Sequence, residues 1–334
     1  MKILISSHAF APSVGGIETV SAILAREWSA AGHAVTITTE TPGDDTWENL
    51  RVLRSPERAV LRRHIAKADL YFQNHISLRS LLPAFGLKTP VAVLHQTYLW
   101  PWNKRAGLAG IAKWLMARRL RNLAISRAVA TALPANTPIV GNPYDAATFQ
   151  LLPEVERGKE FLFVGRFVSD KGIGLLLEAM RFLHARKPEP GPLRLTLVGG
   201  GPDEASLRAE VAAMGLGHAV TFAGPKTGHA LAREYNAHRV LVVPSLWPEP
   251  FGIVALEGAG CGCYVIGSSA GGLSEAIGPA GRTFPNGNAE ALAESMATAL
   301  EDNDLPAGEI QRHLEPFAPA TYAAQILKLA LLKR

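Results

Sequence analysis

The chain has 334 residues, of which 48% are hydrophobic, 19% charged and 7% aromatic, and its formal net charge is +5. This composition is typical of a globular protein, it is too apolar for intrinsic disorder, and the length suggests two domains. No apolar run approaches the roughly 20 residues of a membrane-spanning helix. There is no signal-peptide pattern, and Cys261 and Cys263 suit neither a disulfide framework nor a zinc site, so we expect a cytoplasmic protein.

The first half of the chain alternates predicted strands and helices. Strands are predicted at residues 2–6, 34–39, 70–72, 91–94 and 139–140, and helices at 17–31 and 108–123. Because strand–helix–strand units form parallel sheets, we expect residues 1–150 to be one Rossmann-like domain.

The alternation restarts after residues 151–160, a polar segment broken by Pro and Gly that we interpret as a linker. Strands are predicted at 161–164, 193–198, 220–222, 240–243 and 264–266, with helices beginning near residues 172, 203, 229, 252, 272 and 289. Residues 161–315 are then a second Rossmann-like domain, and residues 316–334 a C-terminal helix that packs back on the first. The predicted fold is α/β, with two doubly wound domains facing a cleft, where ligands bind at the carboxyl ends of the strands.

Charge is distributed unevenly. Residues 1–150 contain 17 Lys and Arg against 9 Asp and Glu, whereas residues 151–334 contain 17 against 20. The excess lies between Arg54 and Arg127, and it predicts an anionic partner, which is nucleic acid, anionic lipid or a phosphorylated substrate. The basic residues lack the interleaved aromatic side chains of a single-strand binding platform, which argues against nucleic acid.

Two loops have features of a phosphate site. Gly15 and Gly16 open the first helix, where free backbone amides suit an anion, although a tight turn explains these glycines equally well. Arg166 and Lys171 share a strand-to-helix loop and could clamp a diphosphate; the alternative is a solvated loop. The G-x-G-x-x-G fingerprint of dinucleotide-binding proteins is missing.

A third loop combines carboxylates with a helix N-terminus. Glu249 and Glu257 are eight residues apart, and between them Phe251, Gly252 and Ile253 would present free amides. Such a set can hold a ribose, sugar hydroxyls and a phosphate. For either glutamate alone, a capped helix with a buried ion pair is the better interpretation.

Four motifs occur in a characteristic order: Gly-Gly-x-Glu, Val-Gly-Arg…Lys-Gly, Val-Gly-Gly-Gly-Pro and the E-x7-E loop. Together they resemble the retaining glycosyltransferases of the GT-B fold, family 4, over essentially the whole chain. The resemblance implies transfer of a sugar from a nucleotide diphosphate sugar, with UDP favoured and GDP open, to a glycan, lipid-linked or other acceptor. It implies that residues 1–150 are the acceptor-side domain and residues 161–315 the nucleotide-sugar-binding domain. It also implies retention of anomeric configuration, and we expect no metal or other cofactor.

The resemblance assigns catalytic roles to four residues. Arg166 and Lys171 match the cations that bind the donor diphosphate, and Glu249 matches the acid that contacts the transferred sugar. His95, at the end of a predicted strand, matches a histidine that faces the donor sugar, although a core or capping role would explain a single histidine as well.

The remaining matches concern donor binding. Gly15 and Gly16 would lie against the diphosphate, and Glu257 would hold the nucleotide ribose. The amides of Phe251, Gly252 and Ile253 would contact sugar hydroxyls and phosphate.

The chain departs from the family pattern at Gly258-Ala-Gly-Cys-Gly262 and at Cys263-Tyr264, which affects helix packing more than chemistry. The chain is also short for the family, which suggests shortened acceptor loops in the first domain. The identity of the acceptor is therefore the least determined part of the resemblance. Two alternatives remain: a GT-B nucleotide-sugar epimerase, which needs no acceptor, and a non-catalytic binder of nucleotide sugars or other anionic ligands.

A last expectation concerns membranes. As a helix, residues 113–121 place Trp114, Leu115 and Met116 near basic side chains, a combination that suits an anionic bilayer surface. The alternative is a helix whose apolar side packs on the sheet. The membrane interpretation places a peripheral enzyme on the inner face of the membrane.

Overall fold

A computed structural model of the chain describes residues 1–13, 15–100, 107–186, 193–301 and 305–332. The chain divides into two units: Met1–Tyr144 together with Pro316–Arg334, and Asp145–Glu315. Each unit is built around its own largely parallel sheet, as predicted. Within the described ranges, no helix combines the length and hydropathy needed to span a membrane.

The first unit contains a seven-stranded sheet in the order β3-β4-β2-β1-β5-β6-β7. Its strands are β1 (Lys2–Ser7), β2 (Ala34–Thr39), β3 (Thr46–Trp47), β4 (Leu50–Arg54), β5 (Leu70–Asn74), β6 (Val91–His95) and β7 (Arg121–Ala124). Every neighbouring pair is parallel except β3 with β4. The central strands β1 and β5 are buried almost throughout, which parallel sheets covered by helices require.

Helices of the first unit follow the strands. They are α1 (Gly16–Ala30), α2 (Arg58–Lys67), α3 (Leu78–Leu81), α4 (Leu108–Ala117) and α5 (Arg127–Ala130). Helix α1 buries Val20, Leu24 and Trp28, which are spaced four residues apart on one helix face. The Trp28 ring meets the Phe72 ring of β5 edge to face, with centroids 5.2 Å apart, so α1 is fixed on the sheet.

The second unit contains a six-stranded, all-parallel sheet in the order β10-β9-β8-β11-β12-β13. Its strands are β8 (Lys159–Val164), β9 (Leu195–Val198), β10 (Val220–Gly224), β11 (His238–Val243), β12 (Tyr264–Ser268) and β13 (Gly281–Phe284). Its helices are α6 (Ile173–Arg186), α7 (Glu204–Ala213), α8 (Gly228–Ala237), α9 (Ile253–Gly260), α10 (Leu273–Ile277), α11 (Ala289–Glu301) and α12 (Ala307–Leu314). Phe161, Phe163 and Phe167 lie in its main hydrophobic core.

The last helix, α13 (Pro319–Leu331), belongs to the first unit. The Trp28 indole N–H donates to the Ala323 carbonyl oxygen over 2.9 Å, and the buried Tyr322 hydroxyl donates to the Gly141 carbonyl oxygen over 3.0 Å. The first unit is therefore assembled from both ends of the chain.

Three sequence expectations need correction. The helix predicted at 108–123 ends at Ala117, because Asn122 hydrogen-bonds the carbonyl oxygens of Ala117 and Leu120 and the chain turns into β7. The strand predicted at 139–140 forms only an isolated bridge between Ile139 and Ala124. The unit boundary lies before the predicted linker at 151–160, since Asn236 accepts from the Leu152 N–H (2.8 Å) and ties that segment to the second unit.

Candidate functional site

Two loops of the second unit meet at an ion pair. Lys171, in the turn before α6, places Nζ 2.6 Å from Oε1 of Glu249, in the loop after β11. The Ser245 hydroxyl donates to the same oxygen over 2.7 Å, and Glu249 is only 8% exposed. Predicted site residues that are 78 positions apart thus converge in one cluster. Ser245 was missed by the sequence analysis, although it lies between Pro244 and Glu249 of the singled-out motif.

Glycines hold these loops close together. Gly172 has φ +70°, and a Cβ at this position would lie 2.1 Å from the Pro244 carbonyl oxygen. The Leu246 N–H donates to the Asp170 carbonyl oxygen over 2.9 Å. Any larger residue at Gly172 would force the loops apart. The glycine of the Lys-Gly motif therefore allows Lys171 to come within ion-pair distance of Glu249.

The backbone of Glu249 is anchored from a loop that the sequence analysis did not single out. The Gly272 N–H donates to the Glu249 carbonyl oxygen over 2.7 Å, and Gly271 (φ +86°) forms a bridge with Glu249. A Cβ on Gly271 would lie 2.2 Å from that carbonyl oxygen. The Ala-Gly-Gly sequence at 270–272 was the available signal.

Helix α9 begins beside this cluster without a side-chain cap. Gly252 (φ +107°) occupies the N-cap position and, among the described residues, makes no side-chain capping hydrogen bond. The amides of Ile253 and Val254 have no intrahelical acceptor, because they precede the first hydrogen bond of the helix. The Phe251 side chain is buried, so only its backbone can contribute to a site. This helix end is suited to an anion.

Glu257 lies in the middle of α9. Its Oε2 accepts a hydrogen bond from the Tyr235 hydroxyl of α8 over 2.9 Å. Burial raises the pKa of Glu257 to about 7, and the nearby Asp145 carboxylate adds to this increase, whereas the Tyr235 hydrogen bond opposes it. Glu257 has no basic partner among the described residues, so the buried ion pair considered above is not formed.

Arg166 follows β8, at the same edge of the sheet as the loop after β11. Its side chain is exposed and has neither an ion pair nor a hydrogen bond within the described ranges. The glycine turn at 199–201 packs under this loop: a Cβ on Gly199 would lie 1.8 Å from the Gly165 carbonyl oxygen, and the Phe167 N–H donates to Gly200. The Val-Gly-Gly-Gly-Pro motif therefore positions the Arg166 loop.

In the first unit, Gly15 and Gly16 begin α1. Gly15 is extended and serves as the N-cap, and its carbonyl oxygen accepts from the Thr19 N–H and the Thr19 hydroxyl. Glu18 folds back over Gly15 and accepts a hydrogen bond from the Ser13 hydroxyl over 2.9 Å. The amides of this turn have no side-chain cap and, like those of α9, are suited to an anion.

His95 is the last residue of β6 and is fully buried. Its Nε2 lies 2.9 Å from Oδ1 of Asn122, whose amide nitrogen donates to two carbonyl oxygens. Because Asn122 presents its oxygen, Nε2 carries the proton and Nδ1 is left as an acceptor. Nδ1 has no hydrogen-bond partner in the described part of the chain. Burial, with a smaller effect of Lys113, lowers the pKa of His95 to about 4, so the ring is neutral near pH 7.

A second histidine, which is half-buried, lies next to it. The rings of His75 and His95 are perpendicular, with centroids 6.4 Å apart, and His75 Nδ1 also lacks a partner among the described residues. His75 has φ +76°, which is rare for a residue with a side chain. Burial lowers its pKa to about 3. No motif marks His75 in the sequence.

A buried polar network connects the start of α1 to the end of β6. Asn74 donates to the Ile17 carbonyl oxygen (2.9 Å) and to the Ser21 hydroxyl (2.7 Å), and it accepts from the Gln96 amide (2.9 Å). Ser21 in turn donates to Ser7 (2.7 Å). Asn74 thus fixes the Gly-Gly turn relative to the strand that carries His95.

The described residues contain no group of three or more His, Cys, Asp or Glu side chains arranged to hold a metal ion. The two cysteines are buried and free, and Arg157 donates to the Cys261 carbonyl oxygen. They belong to the packing of the second unit.

Residues 146–315 match the model of the family described as glycosyl transferases group 1. The chain belongs to this family. The matched region contains Arg166, Lys171, Glu249 and Glu257, and it coincides closely with the second unit.

Curated relatives are similar over part of the chain. A D-inositol 3-phosphate glycosyltransferase of Stackebrandtia nassauensis is 41% identical over 121 residues, which cover 34% of this chain and 27% of the relative. A phosphatidyl-myo-inositol mannosyltransferase of Mycolicibacterium smegmatis is 31% identical over 191 residues, covering 55% and 48%. The alignments thus span about a quarter to a half of the length of these relatives.

Solved structures resemble the whole chain. Anabaena HepE in complex with UDP and glucose gives a TM-score of 0.81 at 21% identity, covering 99% of this chain and 100% of HepE. The lipopolysaccharide glycosyltransferase WaaG gives 0.72 at 16% identity, covering 97% and 99%. At these identities the likeness concerns the fold, and it confirms the predicted GT-B class of two Rossmann-like domains.

Proposed function

We propose that this group 1 family member transfers a sugar from a nucleotide diphosphate sugar, with UDP favoured over GDP, to a glycan or lipid-linked acceptor. We further propose that the reaction retains the anomeric configuration and needs no metal ion. The observation that carries the proposal is the cluster of Lys171, Ser245 and Glu249 beside the uncapped N-terminus of α9. It combines a cation, a carboxylate and free amides, which are the groups that a sugar diphosphate requires.

In the proposed reaction, the bond between sugar C1 and the diphosphate oxygen breaks and the acceptor oxygen bonds to C1 on the same face. The acceptor proton passes to the leaving diphosphate. Lys171, Arg166 and the amides of α9 would stabilise the negative charge that develops on the diphosphate. Lys171 and the α9 amides are held in place beforehand, so they need little reorganisation.

The other residues would bind the donor without contacting the charged diphosphate directly, except for the Gly15–Gly16 turn. Glu249 would accept hydrogen bonds from sugar hydroxyls while it remains paired with Lys171, and Glu257 would hold the ribose. His95, neutral near pH 7 with a free Nδ1 acceptor, would receive a hydroxyl hydrogen bond and would not act as a proton donor. Gly15 and Gly16 would lie against the diphosphate.

The preference for UDP rests on the structural likeness to HepE, which has been solved with UDP and with UDP-glucose. The curated relatives described above are named glycosyltransferases or mannosyltransferases, which favours transfer over epimerisation or binding alone.

Binding measurements test this proposal first. Isothermal titration with UDP, GDP and ADP should show a complex with UDP that persists in EDTA, and absence of binding to all three nucleotides would refute it. Turnover of UDP-sugars with a mixed acceptor panel then tests transfer, and NMR of the product's anomeric proton tests retention. Donor conversion without any acceptor would support the epimerase.

We also propose that helix α4 docks on an anionic membrane surface at the cytoplasmic side. Leu108, Ile111 and Leu115 form an exposed apolar stripe on one face, and the exposed Arg118 and Arg119 follow the helix. This stripe differs from the predicted set, because Trp114 is half-buried beneath the Arg118 guanidinium, 4.9 Å from its ring centroid.

Arg121 is not part of this surface either, because it lies in β7 and donates to the Ala330 carbonyl oxygen. Co-sedimentation with anionic and neutral vesicles at low and high salt tests docking: binding to anionic vesicles that weakens with salt is expected, and equal behaviour with both vesicle types would refute it.

A further inference from the structure

The first unit contains a cavity that is lined by none of the catalytic or donor-binding residues proposed above. Its volume is about 510 Å³, within the roughly 300–1,000 Å³ of small-molecule sites. Its walls come from the carboxyl ends of β1 and β2 and from the segments that follow β1, β2, β4 and β5. Strand β1 has β2 on one side and β5 on the other, so the strand order reverses here, as at the ligand sites of doubly wound sheets.

Half of the residues that line this cavity carry a hydroxyl group. Seven of its 14 lining residues are Ser or Thr, and Pro56 and Leu61 are the two apolar residues among them. The hydroxyls of Thr38 and Ser77 form no hydrogen bond within the described ranges. A ligand with several hydroxyl groups would find many hydrogen-bond partners here.

The charged groups of the cavity are balanced. Oε2 of Glu40 lies 3.4 Å from Nη1 of Arg79 and 3.5 Å from Nδ1 of His8. Glu57 and Arg58, both exposed, add one negative and one positive side chain to the wall. A phosphate or carboxylate entering the cavity would meet two glutamates as well as two arginines, so the cavity itself does not select an anion.

A carboxylate next to a guanidinium suits neighbouring hydroxyl groups. Glu40 can accept from one hydroxyl of a vicinal diol while Arg79 donates to the next, and the unpartnered Thr38 hydroxyl can bond a third. Thr38 lies in β2, Glu40 directly follows it and Arg79 lies in α3, so the backbone at these positions belongs to the sheet edge and the helix beside it.

We propose that this cavity binds a neutral polyhydroxylated molecule, a monosaccharide unit or a cyclic polyol, and that Glu40 and Arg79 recognise its vicinal hydroxyls. Resting on the proposed function, we assign this molecule as the acceptor. On this proposal, the excess of Lys and Arg in the first unit does not bind the part of the acceptor that receives the sugar.

Binding to the full chain without nucleotide tests the cavity directly. The probes are myo-inositol and the methyl glycosides of glucose, galactose and mannose, each compared with a phosphorylated counterpart, and binding is followed by saturation-transfer NMR and titration. We expect at least one neutral probe to bind and its phosphate to bind no more tightly.

The variant Glu40→Gln should weaken the neutral probe at least about tenfold, and Thr38→Val should weaken it severalfold with little effect on folding. Glu48→Gln is the matched control, because Glu48 forms an exposed ion pair with Arg26 in the same unit but outside the cavity. It should leave probe binding unchanged.

Three results would overturn the proposal: no neutral probe binding at millimolar concentration, a phosphorylated probe binding more than tenfold tighter, or equal binding by both cavity variants and wild type. UDP titration is run on the same samples. Probe binding without UDP binding would refute the proposed function and leave the polyol cavity standing, whereas UDP binding without probe binding would do the reverse.

Discussion

Replacement of Glu257 by Gln should stabilise the protein at high pH. In the folded chain, burial and the Asp145 charge raise the pKa of Glu257 from 4.5 to about 7. A carboxyl whose folded pKa is raised contributes stability below its unfolded pKa, and this contribution is lost as the pH rises through 7. The shift corresponds to about 3 kcal/mol.

Most of this loss occurs between pH 5 and pH 8. We therefore compare the free energy of unfolding of Glu257→Gln with that of wild type at each pH. The difference in favour of the variant should be about 2–3 kcal/mol larger at pH 8 than at pH 5. Gln also has a side-chain oxygen, which can accept the hydrogen bond that the Tyr235 hydroxyl donates to Glu257 over 2.9 Å. Urea denaturation at the two pH values measures the difference.

The same residue should make nucleotide binding depend on pH. If the ribose requires the carboxylate, the ionised fraction rises from about a tenth at pH 6 to about nine-tenths at pH 8, and UDP should bind about tenfold more tightly at pH 8. Glu257→Gln should bind weakly at both. Glu257 then favours the ligand at the expense of the fold, a trade-off found at functional sites.

Glu234 provides a control of opposite sign. Burial acts to raise its pKa, but hydrogen bonds and charges from Lys226 and Lys159 outweigh burial and lower the pKa. Glu234→Gln should therefore destabilise the protein at pH 8 and lose this effect in acid. The reasoning on Glu257 is refuted if its Gln variant is equally stabilised at pH 5 and pH 8, or is destabilised at pH 8.

Three further predictions concern single contacts. Arg166→Ala should weaken UDP binding at least about tenfold, the loss of a charge-assisted contact of about 1.5–3 kcal/mol, without changing the urea midpoint, because Arg166 has no partner in the described chain. Lys171→Ala should lower turnover at least about tenfold, whereas Lys159→Ala, which removes an exposed pair with Glu234, should not; equal turnover in both variants would refute the clamp. Asn74→Ala should destabilise the chain by about 2–4 kcal/mol in urea, since it leaves several buried groups unpaired, and a loss below 1 kcal/mol would show that the network is dispensable.

The sequence predicted the strands whose apolar runs are long and buried. β8, β11 and β12 are such strands, and the helices after them begin at glycines or turn residues as expected. β7 was missed because its four residues follow a helix without an intervening Gly or Pro. β13 was missed because two of its four residues are exposed, so its pattern does not differ from that of a loop.

The candidate site was predicted one loop at a time. Local motifs identified Lys171 and Glu249, but their contact depends on how the loops after β8 and β11 approach, which no local pattern encodes. For Glu257 a buried ion pair was the alternative to ribose binding, and the structure shows a tyrosine from α8 at the carboxylate instead of a basic side chain. His75 was out of reach for the same reason, because only the neighbouring strands β5 and β6 bring it beside His95.

The return of α13 to the first unit affects the order in which the protein can be completed during synthesis. The Trp28 indole leaves the ribosome early, but the carbonyl oxygen of Ala323 that it bonds is 295 residues further along the chain. The outer face of α1 therefore stays uncovered while the whole second unit is made, and the second unit has all of its residues available first. A nascent chain arrested near residue 315 would pair a finished second unit with an exposed Trp28 surface, which is the kind of apolar surface that chaperones bind.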